Sequence, residues 1–244
     1  MQLTDITPDQ VVYFEWRFIT LNATVVHTWV VMAILIVGSW LAARNLSTGK
    51  HVGRWQTFLE VVVGFLRGEI RQLSERGADT YLPFIGTLFI FIAISNVLDV
   101  VPGFTSPMAS LSTTGALAIS VLVAVPLFGV AQEGLAGYLK HYIEPSPFML
   151  PFHVIGELSR TLALAVRLFG NVMSGTKIVG VLIVVAAFTP LASVMQAFSM
   201  LVGVIQGYIF ALLAMVYISS GTRAHEAGEV KAEDKAEKTE KEER

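Results

Sequence analysis

After Pro151 the chain runs to residue 188 with no further proline, a hydrophobic block of 38 residues. As one helix this block would measure ~57 Å at ~1.5 Å per residue. The hydrocarbon core of a bilayer is only ~30 Å thick. A continuous helix must therefore lie strongly tilted, or break at Gly170 or Gly175. Thr189-Pro190 ends the block, and a second long one follows over 191–220, where Gly203 and Gly207 interrupt the pattern. Two over-long helices joined by a tight turn predict a hairpin lying aslant in the membrane. The alternative is two upright helices with protruding ends.

The rest of the chain fits an all-α polytopic membrane protein. Shorter spans are expected over 24–43, 81–101 and 111–130, the last with Pro126 inside it. These make about five transmembrane helices. The segment 52–73 holds Arg54, Glu60, Arg67, Glu69 and Arg71, too many charges to place in lipid. Its apolar residues gather on one helical face, which predicts an interfacial amphipathic helix.

Hydrophobic residues make up 54% of the 244 and charged ones 15%, below the ~25% of soluble domains, so a water-soluble enzyme is excluded. The last 24 residues hold six of 17 basic and eight of 19 acidic side chains, so the first 220 carry 22 charges. Three regions follow: an extracytoplasmic segment 1–23, a membrane domain 24–220 and a charged cytoplasmic tail 221–244. The net charge of −2 is too balanced for a nucleic-acid binder. Cysteine is absent, and the five histidines show no metal-ligand spacing, so no metal site is expected.

Basic residues set the orientation. Arg44, Lys50, Arg54, Arg67, Arg71 and Arg76 follow the first span, and the loop after the second has none. Lys140 follows the third, the turn at Thr189-Pro190 has none, and the tail has six. This places the N-terminus outside and the C-terminus in the cytoplasm.

Four ionisable residues stand inside the longest block: Glu157, Arg160, Arg167 and Lys177. A charge at mid-bilayer costs at least ~2.5–3.5 kcal/mol and by default marks an ion or substrate path. Glu157 and Arg160, three apart, can neutralise each other on one face. Lys177 can snorkel to an interface. Arg167 has neither escape: no acid stands three or four positions away, and arginine stays protonated. Its intrachain partners would have to be Asp99, Glu133, Glu144 or Glu157. Asn171 shares its face one turn on, and Ser199 and Gln206 lie seven apart on one face of the final block.

Arg167-Leu168-Phe169-Gly170-Asn171, followed by Gln206-Gly207-Tyr208-Ile209-Phe210 and Val216-Tyr217-Ile218, resembles subunit a of rotary ATP synthases. Residues 83–91, then Asn96 and Pro102-Gly103, resemble that family's second span. Tyr142-Ile143-Glu144-Pro145-Ser146-Pro147 resembles its loop before the tilted hairpin. The resemblance covers roughly 24–220 and extends to a divergent branch thought to include sodium pumps.

The resemblance implies a non-catalytic stator of the bacterial plasma membrane, without a cofactor. It would be pressed against a c-ring whose subunits carry buried carboxylates, and held by peripheral-stalk b subunits. Two half-channels would admit and release the ion. Arg167 matches the family's essential arginine, and Asn171 and Gln206 match polar residues around it. The chain departs from the family at Ser110, Thr176 and Ser199, where other members carry acidic or histidine side chains. Hydroxyls there leave the ion open between proton and sodium, with Asp99 as a substitute carboxylate. Glu157, Arg160 and Lys177 would line or anchor the cytoplasmic side. The rival readings are a self-contained transporter or channel and a purely structural anchor.

Overall fold

The computed structural model describes backbone residues 12–16, 19–44, 54–73, 78–101, 103–143, 150–185 and 190–242. A short antiparallel hairpin, β1 (Val12–Trp16) and β2 (Ile19–Asn22), pairs Trp16 with Ile19 and Phe14 with Leu21. Six helices follow: α1 (Ala23–Arg44), α2 (Arg54–Leu73), α3 (Ala78–Leu98), α4 (Leu111–Ile143), α5 (Leu150–Val185) and α6 (Leu191–Glu242). A 3-10 turn (Pro107–Ala109) leads into α4. Five helices contain stretches long and apolar enough to cross a membrane: 23–41, 79–98, 111–131, 154–185 and 191–219. Helices are the expected solution, since lipid satisfies no backbone N–H or C=O.

Of the two alternatives for the longest block, a strong tilt or a break at Gly170 or Gly175, the break is absent. Helix α5 runs unbroken through Gly170 and Gly175 for 36 residues, ~54 Å of helix, so tilt is the solution left for it in a bilayer. Helix α6 likewise passes through Gly203 and Gly207 and continues as backbone helix past residue 221 to Glu242. The third span also outruns its expected end at residue 130. It breaks its helical geometry at Gly134 (φ 76°, ψ 162°), not at Pro126, and resumes to Ile143. A φ of that sign is open to glycine at no steric cost, so Gly134 marks a kink between two helical stretches. The loop at 144–149 and Thr189 lie outside the described residues.

Helices α3, α4, α5 and α6 form the bundle, with α2 laid against α3 and α6. Phe210, Met215 and Ile218 of α6, Ile85 and Ile92 of α3, and Leu164 and Leu168 of α5 are buried at its centre. Tyr81 meets Phe128 edge to face at 5.1 Å. In lipid, helix association owes little to the hydrophobic effect and depends on close backbone approach and interhelical hydrogen bonds. The α3–α6 seam has both. A Cβ placed on Gly203 would stand 2.8 Å from Asn96 Cβ, and one on Gly207 would stand 3.1 Å from Ile92 Cγ2. Asn96 Nδ2 donates to the Gly203 carbonyl at 3.1 Å. These two glycines, which look like helix interruptions in the sequence, are what let α3 lie against α6.

The amphipathic α2 buries Leu66 and Ile70 and exposes Arg67 and Arg71. Arg67 pairs with Asp79 at the start of α3 (2.6 Å). Both side chains are largely solvated, a setting in which a pair is worth ~0–1 kcal/mol. The Ser219 hydroxyl donates to the Leu73 carbonyl at 3.1 Å, tying α6 to the end of α2. Helix α1 stands apart. It buries Ala23, Thr24 and Val31 and leaves Trp29, Ile36, Val37 and Trp40 exposed.

Candidate functional site

Arg167 occupies the exposed face of α5. Among the described residues it has no ion-pair or hydrogen-bond partner. Of the four acids that could have paired with it, Asp99 is engaged elsewhere and Glu157 makes no ion pair with it. The side chains of Glu133 and Glu144 lie outside the described residues. Ser159, Ala163, Gly170, Ser174 and Lys177 share its exposed face, at steps of three or four residues. Except for the two cations, nothing on this stripe is larger than serine, so another helix could approach α5 closely beside Arg167.

The two helices of the hairpin are antiparallel, and their closest approach fixes the register. A Cβ on Gly175 would meet the Ser199 hydroxyl. Seven residues back along α5 and seven forward along α6, Leu168 faces Gln206, so Gln206 lies level with Arg167. Gln206 is buried, and its Nε2 has no partner among the described residues. Asn171 is half-buried one turn above Arg167. No hydrogen bond joins the three among the described residues: Arg167 is exposed, Asn171 half-buried and Gln206 buried at the same level.

A polar cluster caps one end of this arrangement. Asp99 follows the last turn of α3 and accepts the Ser106 backbone N–H on Oδ1 (2.8 Å). The Thr176 hydroxyl stands 3.4 Å from Asp99 Oδ2, donating there or to the Val172 carbonyl at 3.1 Å. Gln196 Nε2 donates to the Asp99 carbonyl (2.9 Å). The Ser106 hydroxyl reaches Asn96 Oδ1 at 3.4 Å, and Asn96 in turn holds Gly203. Ser199 stands beside Gly175, one residue from Thr176. Ser110 is buried at the end of the 3-10 turn, its N–H bonded to the Pro107 carbonyl. Along α6, Gln196, Ser199, Gly203 and Gln206 recur at steps of three and four, a polar and small stripe leading from Asp99 to the level of Arg167.

Burial pushes the Asp99 carboxyl above the usual carboxylate range, against the pull of the Ser106 N–H, Thr176 and Gln196. The folded chain therefore holds this proton to higher pH than the unfolded chain does. Its contribution to stability is complete below the unfolded value of 3.8 and is lost as pH rises through the folded value. Asp99→Asn removes that loss. Thermal unfolding in detergent is expected to show the Asn variant gaining on the parent chain as pH rises above the unfolded value of 3.8 and through the raised folded value. A constant difference across that range would contradict the burial argument.

A second cluster lies at the other end. Glu157, Arg160 and Thr161 of α5, Val121, Leu122 and Val125 of α4, and Tyr217 of α6 line one small cavity. The Arg160 guanidinium sits 5.8 Å from the Tyr217 ring centre, a cation–π position. Thr176 is nine residues above Arg167 and Glu157 ten below, ~14 Å and ~15 Å along the helix. The free guanidinium is thus midway between two polar clusters whose separation, ~29 Å by the same rise, is close to the thickness of a hydrocarbon core.

The family resemblance groups Asp99, Ser110, Thr176 and Ser199; in the fold Thr176 stands beside Asp99 and Ser199 beside Gly175, while Ser110 is buried at the end of the 3-10 turn. Sequence reasoning missed Gln196 and Ser106. The signal for Gln196 was its spacing of three from Ser199; Ser106, in a loop, gave none.

Five apolar helices with a cation at mid-span and polar groups toward both ends define a multi-pass membrane protein. Comparison with known proteins gives the family. The ATP synthase A chain family matches residues 25–219. ATP synthase subunit a 1 of Crocosphaera subtropica is 54% identical over 89% of this chain and 94% of its own. ATP synthase subunit a 2 of Acaryochloris marina is 54% identical over 89% and 93%. ATP synthase subunit a of Albidiferax ferrireducens is 50% identical over 89% and 94%. The chain belongs to the ATP synthase A chain family, as a non-catalytic membrane subunit of the synthase.

Proposed function

We propose that the chain is the ion-translocating stator of its ATP synthase, with Arg167 as the group that discharges a passing rotor carboxylate. The observation that carries this is the position of Arg167: exposed, unpartnered among the described residues, and midway between two polar clusters. A rotor carboxylate facing lipid must be neutral, carrying a proton or a cation. Beside a fixed guanidinium its anion is stabilised and the ion leaves. The same guanidinium repels a cation trying to pass directly between the two clusters.

The Asp99, Thr176, Ser199 and Asn171 side forms the outer half-channel, with Ser110 buried behind it. Glu157 and Arg160 belong to the cytoplasmic side or its anchorage, whereas Lys177, expected beside them, follows Thr176 on the unbroken α5 and so lies toward the opposite, outer end. Gln206, level with Arg167, orients the guanidinium or lines the path beside it. The path carries a proton or a sodium ion, and the ring sets the choice. The chain sits in a bacterial plasma membrane with its N-terminus outside and C-terminus in the cytoplasm, as its basic loops require. The c-ring covers the small-residue face of α5, and peripheral-stalk b subunits hold the chain against rotation. No cofactor takes part.

The absence of native cysteine permits a direct test. Ala163→Cys and Ser174→Cys should each cross-link oxidatively to a cysteine on the rotor's outer helix in assembled synthase. Gly38→Cys, on the open face of α1, should not. Equal yields from all three would reject this docking face.

A further inference from the structure

His27 is the one histidine whose side chain is described, and it stands on α1, away from the α5–α6 hairpin that carries Arg167. It lies in the second turn of α1, at the end that packs against β2, α3 and the 3-10 turn. Its ring stacks on Phe104 with centroids 4.7 Å apart. Phe104 belongs to the loop that closes over Asp99: its N–H bonds the Val101 carbonyl, and two residues on Ser106 bonds the Asp99 carboxylate. The imidazole is near enough to Asp99 that a positive charge on it favours the carboxylate. Its Nδ1 is buried and has no hydrogen-bond partner among the described residues.

A buried ring nitrogen left without a partner is costly, and such orphan groups call for an explanation in water or function. Among the described residues of β2, α3 and the 3-10 turn, Asp99 is the titratable group at this end; Asp79 and Tyr81 lie at the opposite end of α3. Among the described residues, the groups that hydrogen-bond around Asp99 or stand beside it are hydroxyls and amides: Thr176, Ser199, Ser106, Asn96 and Gln196. Hydroxyls and amides near neutrality pass a proton along but do not store one. Histidine both gains and loses one there.

We propose that His27 is the outermost proton-exchanging residue of the path, receiving protons from the external solution and exchanging them with Asp99 through water at its buried Nδ1. The proposal rests on the stator reading and adds a contributor from α1, which otherwise stands apart from the bundle. In each exchange the imidazolium loses one proton and returns to neutral imidazole, while Asp99 passes from carboxylate to carboxylic acid. The reverse transfer runs when the machine pumps outward. No group is oxidised or reduced. His27 is a proton-relay and positioning residue and does not touch the rotor.

The test uses assembled synthase in liposomes, with synthesis driven by a proton gradient and the outer-mouth pH varied at fixed inner pH. His27→Gln keeps size and polarity but cannot take up a proton. It is expected to slow synthesis roughly tenfold at about pH 8, short of the ~100-fold lower bound for a positioned proton-transfer group because water substitutes in part. The deficit should shrink toward about pH 5.5, where bulk protons are plentiful enough to reach Asp99 without a relay. His27→Gln combined with Asp99→Asn should be no slower than Asp99→Asn alone, as expected for two links of one chain. Retention of the rotor subunits on purification separates a relay defect from a failure to assemble. If His27→Gln keeps the parent rate and pH profile while Asp99→Asn is slow, the His27 assignment falls and the path reading stands. Synthesis driven by sodium and indifferent to outer pH would overturn it in the same way. Intact coupling in Arg167→Ala would instead overturn the stator reading itself.

Discussion

Arg167→Ala is expected to abolish ion-driven ATP synthesis and ATP-driven ion pumping, while ATP hydrolysis by the detached catalytic head persists. A bare carboxylate at mid-bilayer costs at least ~2.5–3.5 kcal/mol. At ~1.4 kcal/mol per factor of ten, losing the guanidinium that offsets this cost slows ion release roughly 100-fold. The loss should be specific to charge and shape. Arg167→Lys keeps the charge but gives up the planar five-donor fork, so it should leave weak coupling, well above Ala and far below the parent chain. Both variants should assemble normally, because Arg167 is exposed in the isolated chain and supports no contact among its described residues. The measurement is ATP synthesis in energised vesicles, with hydrolysis as the internal control. Parent-level synthesis by Arg167→Ala would refute the assignment.

The second large effect concerns folding. Gly203→Leu is expected to prevent stable packing of α3 on α6. Its Cβ alone would stand 2.8 Å from both Asn96 Cβ and Cγ, atoms close to the backbone that cannot swing aside. Overpacking a tight core ordinarily costs ~1–3 kcal/mol, and the shift would also break the Asn96–Gly203 hydrogen bond, worth about 1 kcal/mol more. Together these amount to a large part of a typical domain stability. Gly38→Leu provides the control, since a Cβ on Gly38 meets nothing within 4 Å. Thermal unfolding in detergent should separate the two variants sharply. Equal midpoints would mean the seam tolerates side chains and is not a close backbone approach.

The five spans were legible in the sequence because lipid demands long apolar runs, and length alone decides them. The two over-long blocks were legible for the same reason, but whether α5 broke was not. A glycine in a helix costs only ~1 kcal/mol, so Gly170 and Gly175 permit a break without requiring one. Gly203 and Gly207 read as interruptions because a sequence does not show what lies against a missing side chain. Gly134 went unnoticed because the polar residues around it resemble a loop. The β1–β2 hairpin was not expected either: at five and four residues its strands are too short to stand out by alternation.

The site divides along the same line. Arg167 stood out because an unpaired cation in an apolar helix is anomalous wherever the helix goes. Asp99 and Thr176 could be suspected singly, but their 3.4 Å approach joins positions 77 apart, a matter of tertiary register. His27 stayed hidden because one histidine near the start of an apolar span is ordinary until its neighbours are known.

The glycine seam has a mechanical consequence. On the stator reading proposed above, a rotor sweeping past α5 would drag it sideways on every step, and a helix pair alone would flex under that drag. Here α6 is clamped to α3 at near-backbone distance over two successive turns, so sideways force passes into a third helix instead of bowing the hairpin. On that reading the fixed half of the machine would behave as an anvil, leaving elastic storage between steps to components outside this subunit.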